Sequence, residues 1–381
     1  MPHQFKLDPV ALPPESEVLR GEVREFLDRH MAEASPVDRC RTWFGFDPEF
    51  SRKLGECGWI GMTWPKRYGG HERPASDRYV VIEEMLAAGA PVAAHWIADR
   101  QSGPLLLEYG TDTARDMFLP GIVKGKIFFC IGMSEPQAGS DLAAIRTSAV
   151  RGDGGWVVNG SKLWTTGVME AHQMITLIRT SPADPLRHDG LSQMIIDLSA
   201  PGVSRRPIKD HQGAEHFGEV HLQDVFVADA MVVGEPGNGW AQVNAELAYE
   251  RSGPERYLSS YRVFEELAAS ARGSEDEVLT VAIGEMTARL WALRQMSLSV
   301  ADGVARGANP VVEAAIVKDL GATLEQDMPM LAQIYANQPV EGLSSLHATT
   351  DYLLRFSPIF SLRGGTREIL RGIIAREMGL R

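Results

Sequence analysis

A glutamate followed by an arginine lies within the stretch LAYERSGPER, residues 247–256. Apolar residues around it share one arc of a projected helix, and Glu250 lies at the edge of that arc. The arc residues are Trp240, Val243, Leu247, Pro254 and Leu258. A helix carboxylate that faces an interior cleft would be a better general base near neutral pH, because partial burial raises the pKa of such a group. The alternative is a surface glutamate paired with Arg251 or another cation.

A proline follows this glutamate in the same predicted helix. Proline in a helix interior removes a hydrogen bond and costs about 3 kcal/mol. Ser252-Gly253-Pro254 therefore predicts a kink just past Glu250. The kink would direct this turn into the cleft; the alternative is a bend that has no role in function.

A second candidate site lies in FFCIGMSEPQAGSDLAAIRTSAV (128–150) and VVNGSKLWTTG (157–167). A strand, a loop of small residues and a nearby hairpin offer backbone N–H groups and hydroxyls to a flat ring with polar edges. Trp164 would pack against that ring. The alternative is a surface loop and a hairpin whose tryptophan fills the core.

The chain divides into three regions that differ in their pattern of apolar residues. Helical periodicity over 16–31, 77–89 and 113–125 characterises the first, in which Pro120 limits the last helix. Short apolar runs separated by turn residues predict a β barrel or sandwich next. Its expected strands are 128–133, 155–160, 173–179, 192–198 and 220–227. Long apolar segments at 277–307 and 309–338 then predict a helix bundle. The predicted class is α+β, with a helical domain at 1–126, a β domain at 127–236 and a helical bundle at 237–381.

The composition excludes several function classes. Of 381 residues, 23% are charged, and a formal net charge of −12 disfavours nucleic-acid binding. Three cysteines without C-x-x-C spacing argue against a disulfide framework and favour the cytoplasm. Neither a secretory signal nor a membrane span is expected. Three histidines, at positions 211, 216 and 221, lack the spacing of a metal site.

SEPQAGSD (134–141) followed by NGSKLWTTG (159–167) resembles the paired signature of the acyl-CoA dehydrogenase family. Three further motifs agree in order and spacing: LGECGWIGMTWPKRYGG with a later EEM, GPLLLEYGTDTARDMFLP, and the ending GGTREILRGIIAREMGL. The resemblance covers nearly the whole chain. It implies a helical domain, a β domain and a helical bundle, with FAD bound between them.

The resemblance also implies residue roles toward the cofactor. The strand and loop that embrace the flavin and its ribityl chain match Ile131, Met133, Ser134, Gly139 and Ser140. The motif that borders the flavin appears as Trp164, Thr165 and Thr166. Ser140 also matches a contact to CoA. Thr366 and Glu368 match contacts to the pyrophosphate and adenosine side, although a carboxylate cannot donate to phosphate.

Many family members place the catalytic glutamate where this chain has Gly364. A subgroup typified by isovaleryl-CoA and long-chain acyl-CoA dehydrogenases instead uses a glutamate on an earlier helix, just before an arginine. The resemblance therefore implies Glu250 as the base and the Gly364 N–H as a donor to the thioester oxygen. Arg251 would bind the substrate or hold the local structure, and a structural ion pair is the alternative.

Two motifs of common family members have no counterpart. Arg-x-x-Phe-Gly is replaced by YLSSYRVFEELAASARGSEDEV (257–278), and Gly-Gly-x-Gly-Tyr by EGLSSLHATTDYLLRFS (341–357). Both help to hold the far end of FAD across a subunit interface. A mixed assembly, in which a related chain supplies the contacts, is one hypothesis. Substitution by Arg262 or Arg355 is the other.

The sequence as a whole predicts an FAD-dependent acyl-CoA dehydrogenase that forms a trans-2-enoyl-CoA. Electrons would pass to electron-transferring flavoprotein, and the chain would form a homo- or hetero-oligomer, a dimer or tetramer. A partner subunit poor in FAD and a flavin oxidase or monooxygenase are the alternatives. Gly364 leaves room for branched or ring-bearing acyl groups without selecting one.

Overall fold

The computed structural model describes residues 5–182, 186, 188–243, 251–336 and 344–380. Contacts divide the chain into two compact units. Unit 1 comprises Met1–Gly45, Pro74–Pro91 and Ala248–Arg381. Unit 2 comprises Phe46–Arg73 and Val92–Leu247.

Helices occur at both ends of the chain. In chain order they are α1 Pro14–His30, α2 Pro36–Arg41, α3 Pro48–Glu56, α4 Ala75–Ala87, α5 Ala93–Ile97, α6 Gly103–Tyr109, α7 Asp112–Val123, α8 Tyr261–Ser270, α9 Glu277–Ala305, α10 Val311–Ala336, α11 Ser344–Phe356 and α12 Arg367–Glu377. A π-helical turn, Ala98–Ser102, joins α5 to α6. Residues 239–243 are also helical.

Unit 1 is organised around α10. This helix packs against α8, α9, α11 and α12, while α4 packs against α1 and α9. Buried apolar side chains line α10 along most of its length: Val312, Ala315, Val317, Leu324, Met328 and Ala332. The predicted interior bundle helices, 277–307 and 309–338, correspond to α9 and α10. Burial of apolar surface between them stabilises the unit.

Unit 2 carries one mixed β-sheet. Its strands are β1 Phe129–Gly132, β2 Ser148–Gly152, β3 Gly155–Thr166, β4 Gln173–Arg179, β5 Leu191–Asp197, β6 Val203–Ile208, β7 Phe217–Ala228 and β8 Val232–Val233. The spatial order is β6-β7-β3-β2-β4-β5-β8, and β1 pairs in parallel with β4, with Ile131 opposite Ile175. Side chains on one face form a core that includes Val158, Met174, Ile178, Met194, Ile196 and Val220.

Two predictions about prolines are wrong. Pro254 does not kink a continuous helix, because Arg251–Gly253 are already non-helical and Pro254 begins a short 3-10 helix, Pro254–Arg256. Gly253 is extended, the conformation that a following proline favours. Leu258 therefore does not continue the helical arc of Trp240. Pro120 lies inside α7 without ending it, since burial around it offsets one lost hydrogen bond.

Candidate functional site

The loop that follows β1 in unit 2 is tied to β3 by a buried ion pair. Nζ of Lys162 donates to Oε1 of Glu135 at 2.8 Å and to the carbonyl oxygen of Met133 at 3.2 Å. The Lys162 side chain has no exposed surface, and that of Glu135 is 3% exposed. Ser134 adds a backbone contact, since its carbonyl oxygen accepts from Leu163 N at 2.8 Å. The loop predicted to carry cofactor contacts is therefore held rigidly on its inner side.

The Glu135 carboxylate organises the rest of this loop. Its oxygens accept from the backbone N–H of Arg146 at 2.7 Å and of Thr147 at 3.0 Å. Nε2 of Gln137 donates to it at 2.7 Å. Burial alone would raise the pKa of Glu135, but the Lys162 charge and these donors outweigh burial and lower the pKa to about 2. The carboxylate is thus ionised throughout the neutral range.

This lowered pKa makes a prediction for acid unfolding. A carboxyl whose pKa falls on folding stabilises the protein above its ordinary pKa of 4.5, and that stability disappears as the pH falls toward about 2. The difference in Tm between wild type and the double variant Glu135→Gln/Lys162→Met, which leaves no buried lysine charge opposite the amide, should be constant from pH 7 to pH 5 and narrow below pH 4.5. Thermal unfolding followed by circular dichroism across this range measures it. A Tm difference that stays equally large down to pH 3 would contradict this prediction.

Trp164 lies at an irregularity of the sheet. The β3–β7 register shifts between Lys162 and Thr165, and Trp164 has a φ of 60°. A non-glycine residue with this backbone conformation is uncommon and clusters at functional sites. The bulge turns the indole outward, where it is 57% exposed and meets Phe217 edge-on at 6.1 Å. The alternative in which this tryptophan fills the core is wrong.

The other predicted cofactor contacts on unit 2 are partly open, and together with Trp164 they are called the strip. Of these, Met133 and Ser134 are tied to Lys162 and Leu163, the residues before Trp164. Ile131, Met133 and Ser134 are half-buried, whereas Gly139 and Ser140 are exposed. A Cβ built at Gly139 would have no heavy atom within 4 Å, which leaves space for a ligand. Thr166 is half-buried. Oγ1 of Thr165 is buried and has no hydrogen-bond partner in the described part of the unit.

A second group of predicted residues meets in unit 1. Arg251 is 7% exposed, and its Nε donates to the carbonyl oxygen of Gly364 at 3.2 Å. This contact agrees with a role for Arg251 in holding local structure. Gly364 and Gly365 have φ values of 64° and 98°, which favour glycine. Glu250 lies outside the described residues.

The residues after this glycine pair begin α12. Thr366 is its N-cap, and its Oγ1 accepts from Ile369 N at 3.5 Å. Glu368 is exposed in the first turn, where hydrogen bonds from its own backbone and from Thr366 lower the pKa of its carboxyl. Its carboxylate therefore accepts hydrogen bonds and does not donate them.

The described residues contain neither a membrane-spanning helix nor a cluster of metal ligands. No helix there is long and apolar enough to span a bilayer. Within the same ranges, three or more His, Cys, Asp or Glu side chains nowhere come together as metal ligands would.

Three family models match consecutive parts of the chain. They describe the N-terminal domain of acyl-CoA dehydrogenase at residues 13–126, its middle domain at 130–225 and its C-terminal domain at 237–379. The acyl-CoA dehydrogenase IpdE1 of Mycolicibacterium smegmatis is 30% identical over 96% of this chain and 98% of its own length. The chain belongs to the acyl-CoA dehydrogenase family.

Solved structures of acyl-CoA dehydrogenases share the fold. A structure named Tcur3481-Tcur3483 steroid ACAD has a TM-score of 0.86 at 30% identity, covering 97% of this chain and 99% of that one. The ChsE4-ChsE5 complex from Mycobacterium tuberculosis has a TM-score of 0.83 at 28% identity, covering 98% and 99%. The predicted sequence of helical, β and helical domains is confirmed, while the boundaries at 126/127 and 236/237 remain predictions.

Acyl-CoA dehydrogenases are FAD-binding oxidoreductases that act on CH–CH groups, and the strip on unit 2 fits such a cofactor. It offers an exposed aromatic ring at Trp164, an unused buried hydroxyl at Thr165 and open space at Gly139. Sequence reasoning missed the Glu135–Lys162 pair, although both residues lie within the quoted motifs. The available signal was a lysine at an inward position of a strand, where an unpaired charge is costly.

Trp164→Ala should separate cofactor binding from folding. The exposed indole contributes little to the free energy of unfolding, so Tm should stay within about 2 °C of wild type. If the indole packs against the flavin, as the family resemblance predicts, its loss should raise the Kd for FAD about tenfold. Isothermal titration of the apoprotein with FAD measures it. Phe226→Ala, which removes a ring that is 56% exposed on β7, is the matched control and should bind FAD like wild type.

Proposed function

We propose that this acyl-CoA dehydrogenase oxidises an acyl-CoA thioester to a trans-2-enoyl-CoA, with Glu250 as the base. The hydrogen bond from Arg251 to Gly364 carries the assignment. Gly364 stands where many family members have their catalytic glutamate, and it has no acid to offer. The residue directly after Glu250 contacts this glycine, which supports a base supplied from the Glu250 position.

The proposed chemistry assigns one task to each of these residues. The Glu250 carboxylate takes a proton from the α-carbon, and the electron pair left behind forms the new C=C bond as a hydride leaves the β-carbon. FAD, when bound, accepts that hydride. The Gly364 N–H donates to the thioester oxygen and stabilises the developing enolate. The substrate loses two hydrogens and keeps its CoA.

Cofactor contacts are proposed on both units. Trp164 would pack at the flavin, and the Thr165 hydroxyl would donate to its polar edge. Flavin and ribityl contacts are proposed for the remaining residues of the strip: Ile131, Met133, Ser134, Gly139, Ser140 and Thr166. Thr366, at the start of α12, would face the pyrophosphate, since a helix N-terminus favours anions. Glu368 would accept from hydroxyl groups on the adenosine side.

We propose a bulky, ring-bearing acyl group as the substrate. Gly364 removes the side chain that other members place beside the acyl group. The name of a relative 30% identical in sequence, Tcur3481-Tcur3483 steroid ACAD, supports a steroid acid. Ser140 is proposed to contact the CoA portion, and Arg251 to act on the substrate through the Gly364 loop.

Anaerobic titration of the protein in its FAD-loaded assembly, alone or with the related chain proposed below, tests this function. The panel is butyryl-, isovaleryl-, octanoyl-, palmitoyl- and cholanoyl-CoA. We expect cholanoyl-CoA to bleach the flavin absorbance fastest and to give a product two mass units lighter. Bleaching by none of the five thioesters, in a protein that holds FAD, would reject the proposed function. Preference for butyryl-CoA would reject the substrate class alone.

We further propose that a related but different chain completes the cofactor site. The two arginines that could replace the missing motifs are already paired with acids of their own helices, Arg262 with Glu265 at 2.9 Å and Arg355 with Asp351. The ChsE4-ChsE5 structure is a complex of two named components. Native mass spectrometry of the protein purified alone provides the test. A homo-oligomer with one FAD bound to every chain would reject this proposal. A protein that lacks FAD when purified alone, and binds FAD once the related chain is added, would support it.

Electron-transferring flavoprotein is the proposed acceptor. After substrate has bleached the flavin anaerobically, addition of this flavoprotein or of dissolved oxygen separates a dehydrogenase from an oxidase. Recovery at least 100-fold faster with the flavoprotein is expected. Faster recovery with oxygen would favour an oxidase or monooxygenase on the same fold.

A further inference from the structure

Two arginines of unit 1 join the segment after Glu250 to the loop around Gly364. Arg251 belongs to the segment, and its Nε donates to the carbonyl oxygen of Gly364 at 3.2 Å. Arg363 belongs to the loop, and its Nη2 donates to the carbonyl oxygen of Glu255 at 2.8 Å. The two hydrogen bonds run in opposite directions between the same two stretches of chain.

The guanidinium of Arg363 lies against two aromatic rings and three oxygen atoms. The group lies over the ring of Trp43 at 4.4 Å and over the ring of Phe360 at 4.5 Å. Its Nη2 also donates to Oγ of Ser259 at 2.8 Å and to Oε2 of Glu325 at 2.9 Å. A planar, permanently charged guanidinium suits this position, whereas a lysine ammonium would reproduce the charge but not the contact with the two ring faces.

Glu325 extends the connection to α10. Its side chain is fully buried, and its Oε1 accepts from Ser259 N at 2.7 Å. Its own carbonyl oxygen accepts from Oγ of Ser260 at 2.6 Å. One carboxylate on the central helix of unit 1 therefore holds both Arg363 and the end of the segment that follows Glu250.

A chain of buried hydroxyls holds the other end of this segment. Oγ of Ser297, on α9, donates to the carbonyl oxygen of Ser252 at 2.5 Å. The Tyr79 hydroxyl lies 3.1 Å from Ser297 Oγ and 2.9 Å from the Tyr257 hydroxyl. The segment between positions 252 and 259 is thus held by hydrogen bonds at both ends. It provides a rigid support for the Gly364 loop.

The loop needs such a restraint, because glycines at 364 and 365 have no side chain to limit their backbone. We infer that Arg251 and Arg363 form a reciprocal clasp that fixes the direction of the Gly364 N–H relative to the segment following Glu250. Arg363 is then a positioning residue for the α-proton transfer, an inference that rests on the function proposed for Glu250 and Gly364. Sequence reasoning missed Arg363, whose only signal was its place before the glycine pair.

Hydrogen–deuterium exchange of the full-length protein tests the clasp without any substrate. Arg363→Lys keeps the charge opposite Glu325 but loses the planar group that contacts the two ring faces. We expect it to increase exchange at least fivefold in peptides covering both 252–260 and 361–366. Arg371→Gln is the control, since Arg371 is 60% exposed and its Nε contacts Asp319 at 3.2 Å. Faster exchange in only one of the two stretches, or in neither, would overturn the clasp.

Kinetics per bound FAD separate positioning from general stability. With octanoyl- or cholanoyl-CoA, whichever bleaches wild type faster, Arg363→Lys should lower kcat about 100-fold and change KM less than threefold, because misplacement of reacting groups by about 1 Å has that effect. The double variant Arg363→Gln/Glu325→Gln removes both charges of this buried pair. It should show the same fall in kcat with little change in KM. If kcat per bound FAD equals that of wild type while only FAD content or Tm falls, Arg363 is merely structural.

The two measurements also distinguish the inference from the proposed function. A wild-type protein that holds FAD and is bleached by no thioester rejects the function, and the exchange experiment still decides whether the clasp exists. A wild-type protein that is bleached, beside an Arg363→Lys variant with unchanged exchange and kcat, rejects the clasp and leaves the function standing.

Discussion

Glu250→Gln should give a protein that retains FAD but loses at least 1,000-fold in the rate at which an acyl-CoA bleaches its flavin. The amide keeps the size and a carbonyl oxygen of the glutamate, yet it cannot take the α-proton. General-base catalysis commonly contributes factors of about 100 to 10,000, and no acid stands at position 364 to replace it. Anaerobic stopped-flow absorbance at the flavin band, with the best thioester of the panel, gives the rate.

Glu246→Gln is the control for this prediction, because it makes the same change four residues earlier in the sequence. It should reduce the rate less than threefold. Equal loss in both variants would indicate a general effect of this stretch, and an unchanged rate in Glu250→Gln would reject this residue as the base. FAD content, measured after gel filtration, should match wild type in both variants.

Sequence patterns were enough to predict helices and strands that have no interruption. Strand β4, Gln173–Arg179, has the bounds of the predicted strand, because a continuous apolar run between turn residues allows few other structures. The long helices α9 and α10 were likewise predicted within a few residues. Family resemblance, rather than periodicity, located the candidate cofactor residues on the strip of unit 2.

Sequence patterns failed where one residue interrupts a regular element. The helical projection treated residues 240–258 as continuous, but Gly253 is extended before Pro254 and breaks it. Residues 155–160 predicted half of β3, because the bulge at Trp164 conceals the alternation of its second half. Such local exceptions depend on partners distant in sequence, and a single sequence does not reveal them.

The arginines illustrate the same limit at the candidate site. Arg251 and Arg363 are 112 positions apart, and nothing in the spacing of either indicates the other. Their alignment depends on how α10 places Glu325, which contacts both Arg363 and Ser259. The sequence located the glutamate and the glycine proposed to do chemistry, whereas the structure was needed to find the residues that hold that glycine in place.

Lys162→Met should be the most destabilising single change in unit 2. The substitution fills most of the lysine volume but leaves the Glu135 carboxylate buried without its counter-charge. Removing one partner of a buried pair costs about 3–5 kcal/mol. We expect Tm to fall by roughly 10 °C, and FAD to be lost on gel filtration, because the Met133–Ser134 loop loses the Lys162 contacts to β3 and keeps only the backbone hydrogen bond between Ser134 and Leu163. Differential scanning fluorimetry and the flavin absorbance of the eluted protein measure the two effects.

A double variant shows whether charge or volume causes this loss. Glu135→Gln/Lys162→Met removes both charges, and the amide oxygen introduced at position 135 can still accept from the N–H of either Arg146 or Thr147, which bind different oxygens of the carboxylate, so about half of the Tm loss should be recovered. Arg151→Gln breaks an exposed ion pair between β2 and Asp229, the residue that follows β7, and should cost less than about 1 kcal/mol. If Lys162→Met behaves like that surface variant, the buried pair does not hold the loop. If the double variant is as unstable as the single one, packing of the lysine stem, rather than its charge, stabilises the cofactor strip.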